Sequence, residues 1–178
     1  MLGKIRKKIT SLIGGGVLDP IREKQAIATF NSKFISVWTY SAYRMGQPDP
    51  LYEPVDLSVN CLDNELGYAI VFALNKTRFF SLKQAEEIRE ASSNHYNKCI
   101  EQQVKKYGYR SRRALFKDMK SCSISETGEV ITILPSHYEG LEEFSNKGIA
   151  EDQHVKIPTS SGHAEIGAAL RLAFSRCT

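Results

Sequence analysis

No apolar run in this sequence approaches the roughly 20 residues needed to cross a bilayer. The longest, Tyr68 to Leu74, stops well short. Cysteines are few and scattered: Cys61, Cys99, Cys122 and Cys177, with no Cys-x-x-Cys and no His at finger spacing. That pattern gives no zinc-finger framework and no disulfide scaffold, and it suits a reducing compartment. The Gly14–Gly16 triplet lacks the Lys-Ser/Thr of a phosphate-binding loop and the spacing of a dinucleotide site, and no Gly-x-Ser-x-Gly elbow occurs. The basic cluster Lys4, Arg6, Lys7 and Lys8 precedes only a short apolar stretch, Ile9 to Ile13, which the glycines interrupt. A secretory signal needs a longer apolar core, so a cytoplasmic location without a targeting signal is expected.

The chain has 178 residues, 42% of them hydrophobic and 25% charged. It is long enough for one domain with a real core. The net charge of +4 conceals a segregation. Residues 1–30 carry +4, residues 31–100 carry −1, residues 101–120 carry +5 and residues 121–178 carry −4. The potential should therefore differ strongly from face to face.

Periodicity places the elements. Leu2, Ile5, Ile9, Leu12 and Ile13 share a helical face, so residues 1–24 read as a helical extension, docked or lying on a membrane or partner. Ala26 to Phe30 and Phe34 to Tyr40 read as strands of a hairpin turning at Asn31-Ser32-Lys33. Pro48, Pro50 and Pro54 argue against regular structure over 47–54. Val55, Leu57 and Val59 alternate as a strand does. A helix capped by Asp63 or Asn64 follows, apolar over most of its surface through Leu74 and read as buried. One long helix is expected from Leu82 to Tyr107, with Gly108 at its C′ position. Ser111 can cap a short helix to Met119. Cys122–Ile124 and Glu129–Leu134 should form a hairpin about Glu126-Thr127-Gly128. Val155 and Ile157 mark a last strand before a helix over 164–176.

The chain repeats itself at a spacing of 100 residues. Glu65 to Ile70 matches Glu165 to Leu170, and Phe72-Ala73-Leu74 matches Leu172-Ala173-Phe174. A short strand precedes each helix, and further upstream a strand runs into Ser41-Ala42-Tyr43 and Ser136-His137-Tyr138. A glycine one turn into a helix costs about 1 kcal/mol relative to alanine. Gly67 and Gly167 at matched places imply close packing of each helix against the sheet. The fold expected is α+β: one domain, a central, mostly antiparallel sheet covered by helices, with a weak strand–strand–helix duplication.

The histidines are His95, His137, His154 and His163, and none reads as paired with another His or a Cys at ligand spacing. No metal site, cofactor or catalytic residue is expected. Glu86/Glu87/Glu90 and Glu139/Glu142/Glu143 read as solvated helical faces. The stretch 105–120 mixes charge with aromatics. Lys105, Lys106, Arg110, Arg112 and Arg113 make a basic surface that could hold phosphates beside stacked bases. Its plainer reading is a helix end followed by a solvated short helix.

Several segments resemble a known family. These are Lys106 to Tyr109, Arg113 to Lys117 with Met119-Lys120, Ile131 to Glu139, Gly148-Ile149, and Glu165 to Cys177; the Leu66-Gly67…Ala73-Leu74 helix also fits. From about residue 55 to 177 the chain is similar to the immunity proteins of contact-dependent growth inhibition (CDI) systems, the CdiI-like family. The resemblance implies an antitoxin in the bacterial cytoplasm. It would bind the C-terminal toxin domain of its cognate CdiA exoprotein, one to one, and block it by occlusion without catalysis. Many such toxins are nucleases that cut tRNA. A groove that holds phosphate is basic, so Glu139, Glu142, Glu143, Glu151 and Asp152 are the expected toxin-binding residues. Neither membrane insertion nor direct nucleic-acid binding is expected. The alternative is a small RNA-binding accessory module using 105–120.

Overall fold

The computed structural model describes residues 22–43 and 45–178. The expected N-terminal helix lies outside the described residues. Strand β1 (Lys24–Phe30) turns into β2 (Phe34–Ala42) through Asn31. The Asn31 carboxamide oxygen accepts from the backbone N–H groups of Lys33 and Phe34, at 2.9 and 3.1 Å, and so fixes the reversal. A second hairpin, β5 (Lys120–Thr127) and β6 (Val130–Pro135), turns at Gly128-Glu129. This is about two residues later than the sequence suggested. Gly128 has φ +60°, the left-handed conformation that tight hairpins require.

These four strands form the centre of a seven-stranded sheet, in which β1 pairs antiparallel with β5. At one edge β6 pairs with β9 (Val155–Pro158). At the other, β2 is long enough to pair with two strands. β3 (Gly46–Pro48) lies beside Tyr40–Ala42, and β4 (Val55–Ser58) lies beside Phe34–Val37. The proline-containing stretch thus holds a short strand after all. Pro48 is tolerated because it ends an edge strand, where a missing N–H costs little.

The sheet is apolar on both faces, in alternate registers. Ala26, Ala28, Ile35, Val37, Cys122, Ile124, Ile131 and Ile133 point to one side and meet helices α1 (Asp63–Asn75) and α5 (His163–Ser175). Phe34 and Trp38 point to the other, under α3 (Arg89–Lys106) and α4 (Arg112–Phe116). Helix α1 is not buried all round: Tyr68 is 60% exposed, and the buried set is Leu66, Gly67, Ala69, Ile70, Ala73 and Leu74. The expected single helix over 82–107 is two, because α2 (Leu82–Glu87) and α3 meet at a break on Ile88. Ser81 caps α2, accepting from Gln84 N–H. Gly108 takes the left-handed C′ conformation after α3, with φ +63°.

The duplication is real and longer than the sequence indicated. Each unit has an extra leading strand: β1-β2-β4-α1 in the first and β5-β6-β9-α5 in the second. The segment α2–α4 is inserted between them and covers the opposite face. The two glycines serve a different contact from the one expected. They pack the two helices on each other rather than on the sheet. A Cβ on Gly67 would lie 1.8 Å from the His163 carbonyl oxygen, and one on Gly167 would lie 2.0 Å from that of Asp63. Among the described residues, no helix is long and apolar enough to cross a membrane.

Candidate functional site

Outside the main sheet stands a two-stranded ribbon, β7 (His137–Gly140) and β8 (Glu143–Ser145). Glu139, Glu142 and Glu143 lie on it, so they are not a helical face as the sequence reading had them. Their roles divide. Glu139 and Glu143 are exposed. Glu142 turns inward and forms a two-pronged ion pair with Arg112 of α4: Nη2 donates to Oε2 at 2.6 Å, and Nε donates to Oε1. Arg112 also donates to Asn97 Oδ1 at 2.8 Å and lies over the Tyr96 ring, both on α3. A bidentate guanidinium–carboxylate pair fixes orientation as well as distance. The ribbon is thereby clamped to α3 and α4.

Beneath the clamp is a cavity of about 210 Å³ between the sheet and these elements. Ser121, Ser123 and Thr29 line its floor, and Trp38, Tyr40 and Tyr96 its wall. Burial pushes the Tyr40 phenol up to about 12 and raises that of Tyr96 as well, so both stay neutral. The remaining acids lie elsewhere. Glu151 and Asp152 occupy a 3-10 turn before β9 and are exposed. Lys156 donates to Glu151 at 2.7 Å and holds its carboxyl below the ordinary range. Asp152 makes no ion pair among the described residues.

The basic surface does not survive as a block. Lys106 pairs with Asp56 at 3.1 Å, and Arg112 is committed to Glu142. Lys120 donates to the Phe174 carbonyl at the end of α5. Lys105, Arg110 and Arg113 are exposed and make no ion pair among the described residues. Only three of the five basic side chains therefore present unneutralised charge. Ser136 and His137, adjacent in sequence, take different partners. Ser136 donates to the Ser121 carbonyl at 2.6 Å, while His137 meets the Thr178 hydroxyl.

Two groupings escaped the sequence reading. His95 and Cys99 are one turn apart on α3, which is a ligand spacing after all, and Glu53 faces them across the 49–54 loop. Their donor atoms all lie within 4.8 Å of one another. The four-residue spacing was visible in the sequence, but the carboxylate comes from a segment more than 40 residues away. The second is Cys122 and Cys177, whose sulfurs approach to 3.6 Å in the core. The thiol of Cys122 holds that of Cys177 down, to about 7, against the opposing effect of burial.

The comparisons with known proteins agree with one another. A family model described as CDI immunity protein matches residues 24–177. The immunity protein CdiI-YPIII of Yersinia pseudotuberculosis serotype O:3 is 35% identical, over 89% of this chain and 98% of its own. Among solved structures, a chain of the CdiA-CT/CdiI toxin and immunity complex from Yersinia pseudotuberculosis superposes with TM-score 0.81 at 34% identity. That match covers 90% of this chain and 100% of that one. A protein of unknown function from Neisseria meningitidis matches with TM-score 0.80 at 28% identity, over 92% and 100% of the two chains.

Proposed function

Since the chain belongs to the CDI immunity protein family, we propose that it binds the C-terminal toxin domain of its cognate CdiA exoprotein, one to one, in the cytoplasm. It acts by occlusion and not by turnover. The toxin is a nuclease, with tRNA as its substrate. The observation that supports this reading is the clamped acidic ribbon. Glu139 and Glu143 project from a two-stranded element that Glu142 and Arg112 hold against the body. A preorganised acidic projection suits a groove built to hold phosphates. Complementary charge also accelerates encounter and selects the partner. Glu151 and Asp152 supply a second exposed acidic turn. Direct nucleic-acid binding is not part of this reading, since Lys106 and Arg112 are neutralised within the fold.

The test is calorimetric titration with the toxin domain encoded beside this gene, paired with a tRNA cleavage assay. Nanomolar one-to-one binding that abolishes cleavage, and that a toxin from another strain fails to reproduce, is the expected result. Absence of binding would overturn the reading. Binding without any nuclease activity to block would overturn the assigned toxin class alone.

A further inference from the structure

Helix α3 lies along the segment 48–56 through one stripe of side chains. Ser92 donates to the Pro48 carbonyl at 2.5 Å, and His95 Nε2 lies 3.1 Å from the Tyr52 carbonyl. Cys99 donates to Glu53 Oε2 at 3.0 Å, and Gln103 donates to Asp56 Oδ1 at 2.8 Å. The spacing 92, 95, 99, 103 is that of one helical face. Two members of the stripe are metal-ligating types, and the loop opposite brings a third.

We propose that Glu53, His95 and Cys99 form a binding site for a divalent transition metal, with zinc the best fit. The donor set is one carboxylate oxygen, one imidazole nitrogen and one sulfur, all of which zinc accepts. Zinc bonds of about 2.0–2.3 Å at tetrahedral angles put neighbouring donors about 3.5 Å apart. Here the sulfur stands 3.0 Å from Glu53 Oε2, and 3.9 Å from His95 Nδ1 and 3.7 Å from Nε2, on either side of that value. The imidazole is already oriented. A ring donating from Nε2 to the Tyr52 carbonyl presents Nδ1 as the bare nitrogen, and ligating histidines are commonly held by such a second bond. Cys99 is buried and Glu53 exposed, so the site is dry on the helix side and open on the loop side. A cavity of about 270 Å³ bordered by Glu53, Cys99 and Gln102 adjoins it. Three protein ligands leave the fourth position to water or to a donor from a partner. Cys99 binds as thiolate, and its proton passes to the solvent. Lys98, 3.7 Å from the other Glu53 oxygen and exposed, is free to swing away.

The site would tie the 49–54 loop to α3 and does not rest on the toxin reading. The test titrates the full chain, stripped by chelator, with cobalt(II) alone and then with zinc(II) alone. Expected are a thiolate-to-cobalt charge-transfer band and intense visible bands of tetrahedral cobalt, displaced by one equivalent of zinc. The melting temperature should rise with zinc. His95→Ala, Cys99→Ser and Glu53→Gln should each weaken zinc at least about tenfold, while Cys61→Ser should leave the spectrum intact. Because His95 is partly exposed, His95→Ala gives a folded variant even if Cys99→Ser does not. A wild-type chain without the thiolate band overturns the proposal. So does a band that survives both His95→Ala and Cys99→Ser.

Discussion

Gly67 stands so close to His163 that an added Cβ would fall 1.8 Å from the His163 carbonyl oxygen. The duplicated partner, Gly167, bears the same relation to Asp63 at 2.0 Å. Neither neighbour can yield, since each is helix backbone. Alanine at either position gains about 1 kcal/mol of helix propensity but forces α1 and α5 apart, and overpacking of this kind costs roughly 1–3 kcal/mol or more. Gly67→Ala and Gly167→Ala should therefore both lower the urea midpoint, despite the favourable propensity. An unchanged midpoint in either variant would show that the helices do not meet as described.

Asp49 and Arg78 give the acid limb of stability. Asp49 is fully buried at its side chain and takes two bonds from Arg78, at 2.7 and 2.8 Å. It also accepts from the Ser41 hydroxyl and from Leu51 N–H. Burial pushes its carboxyl up, but these partners together outweigh burial and hold it below the ordinary carboxylate value. A depressed folded value means the contribution is complete above the unfolded value, near pH 4, and is lost as pH falls through the folded one. Asp49→Ala should cost roughly 2–4 kcal/mol at neutral pH, somewhat under the range for a fully buried pair because Arg78 is partly exposed. Asp49→Asn should flatten the loss of stability over the acid interval below about pH 4. Melting curves across that interval decide the matter.

For the toxin interface, charge reversal separates contact from support. Glu143→Lys should weaken toxin binding several-fold, mainly through a slower association rate that depends less on salt. Glu142→Lys should do the same and also loosen the ribbon, because it opposes Arg112 with a like charge. Arg112→Met should reproduce only the loosening. Stopped-flow association rates that stay at the wild-type value in Glu143→Lys would move the interface off the ribbon.

Cys122 and Cys177 form a titrating pair. The Cys122 thiol, 3.6 Å from the Cys177 sulfur, is the main reason that the latter is held down to about 7. Its own thiol is pushed well up by burial. Between the folded value near 7 and the ordinary thiol value, rising pH should add stability through Cys177. Cys122→Ala removes the neighbouring thiol, so the thiolate absorbance of Cys177 should titrate at higher pH. A titration that does not move would show that Cys122 does not hold it down.

Much of this was legible in the sequence for identifiable reasons. The strand formers of β2 and the repeated Glu-x-Gly helices gave the sheet and the duplication: Ile35, Val37, Trp38 and Thr39 favour a strand even though β2 is buried on both faces and leaves no period of two. The helix break at Ile88 was not legible, since nothing in Glu86 to Glu90 is a strong helix breaker. The role of the glycines was half read: their need for close approach was clear, but the neighbour was not. Glu142 looked like one more surface acid until Arg112 was placed beside it. The Glu53, His95 and Cys99 grouping needs a loop and a helix 40 residues apart, and pairwise spacing reports only the His95–Cys99 half.

The seam between β1 and β5 joins residues 24–30 to 120–126, and this fixes the order of events during synthesis. At ribosomal rates of about 5–20 residues per second, β5 follows β1 by on the order of ten seconds. Throughout that interval the first unit has an unpaired strand edge, and α1 lacks the helix its glycine is shaped to meet. The nascent half-chain is thus the species most open to aggregation and proteolysis. Loop closure across so long a separation also predicts slow folding. The open β1 edge is therefore the part of the growing chain that has to be shielded until β5 is made.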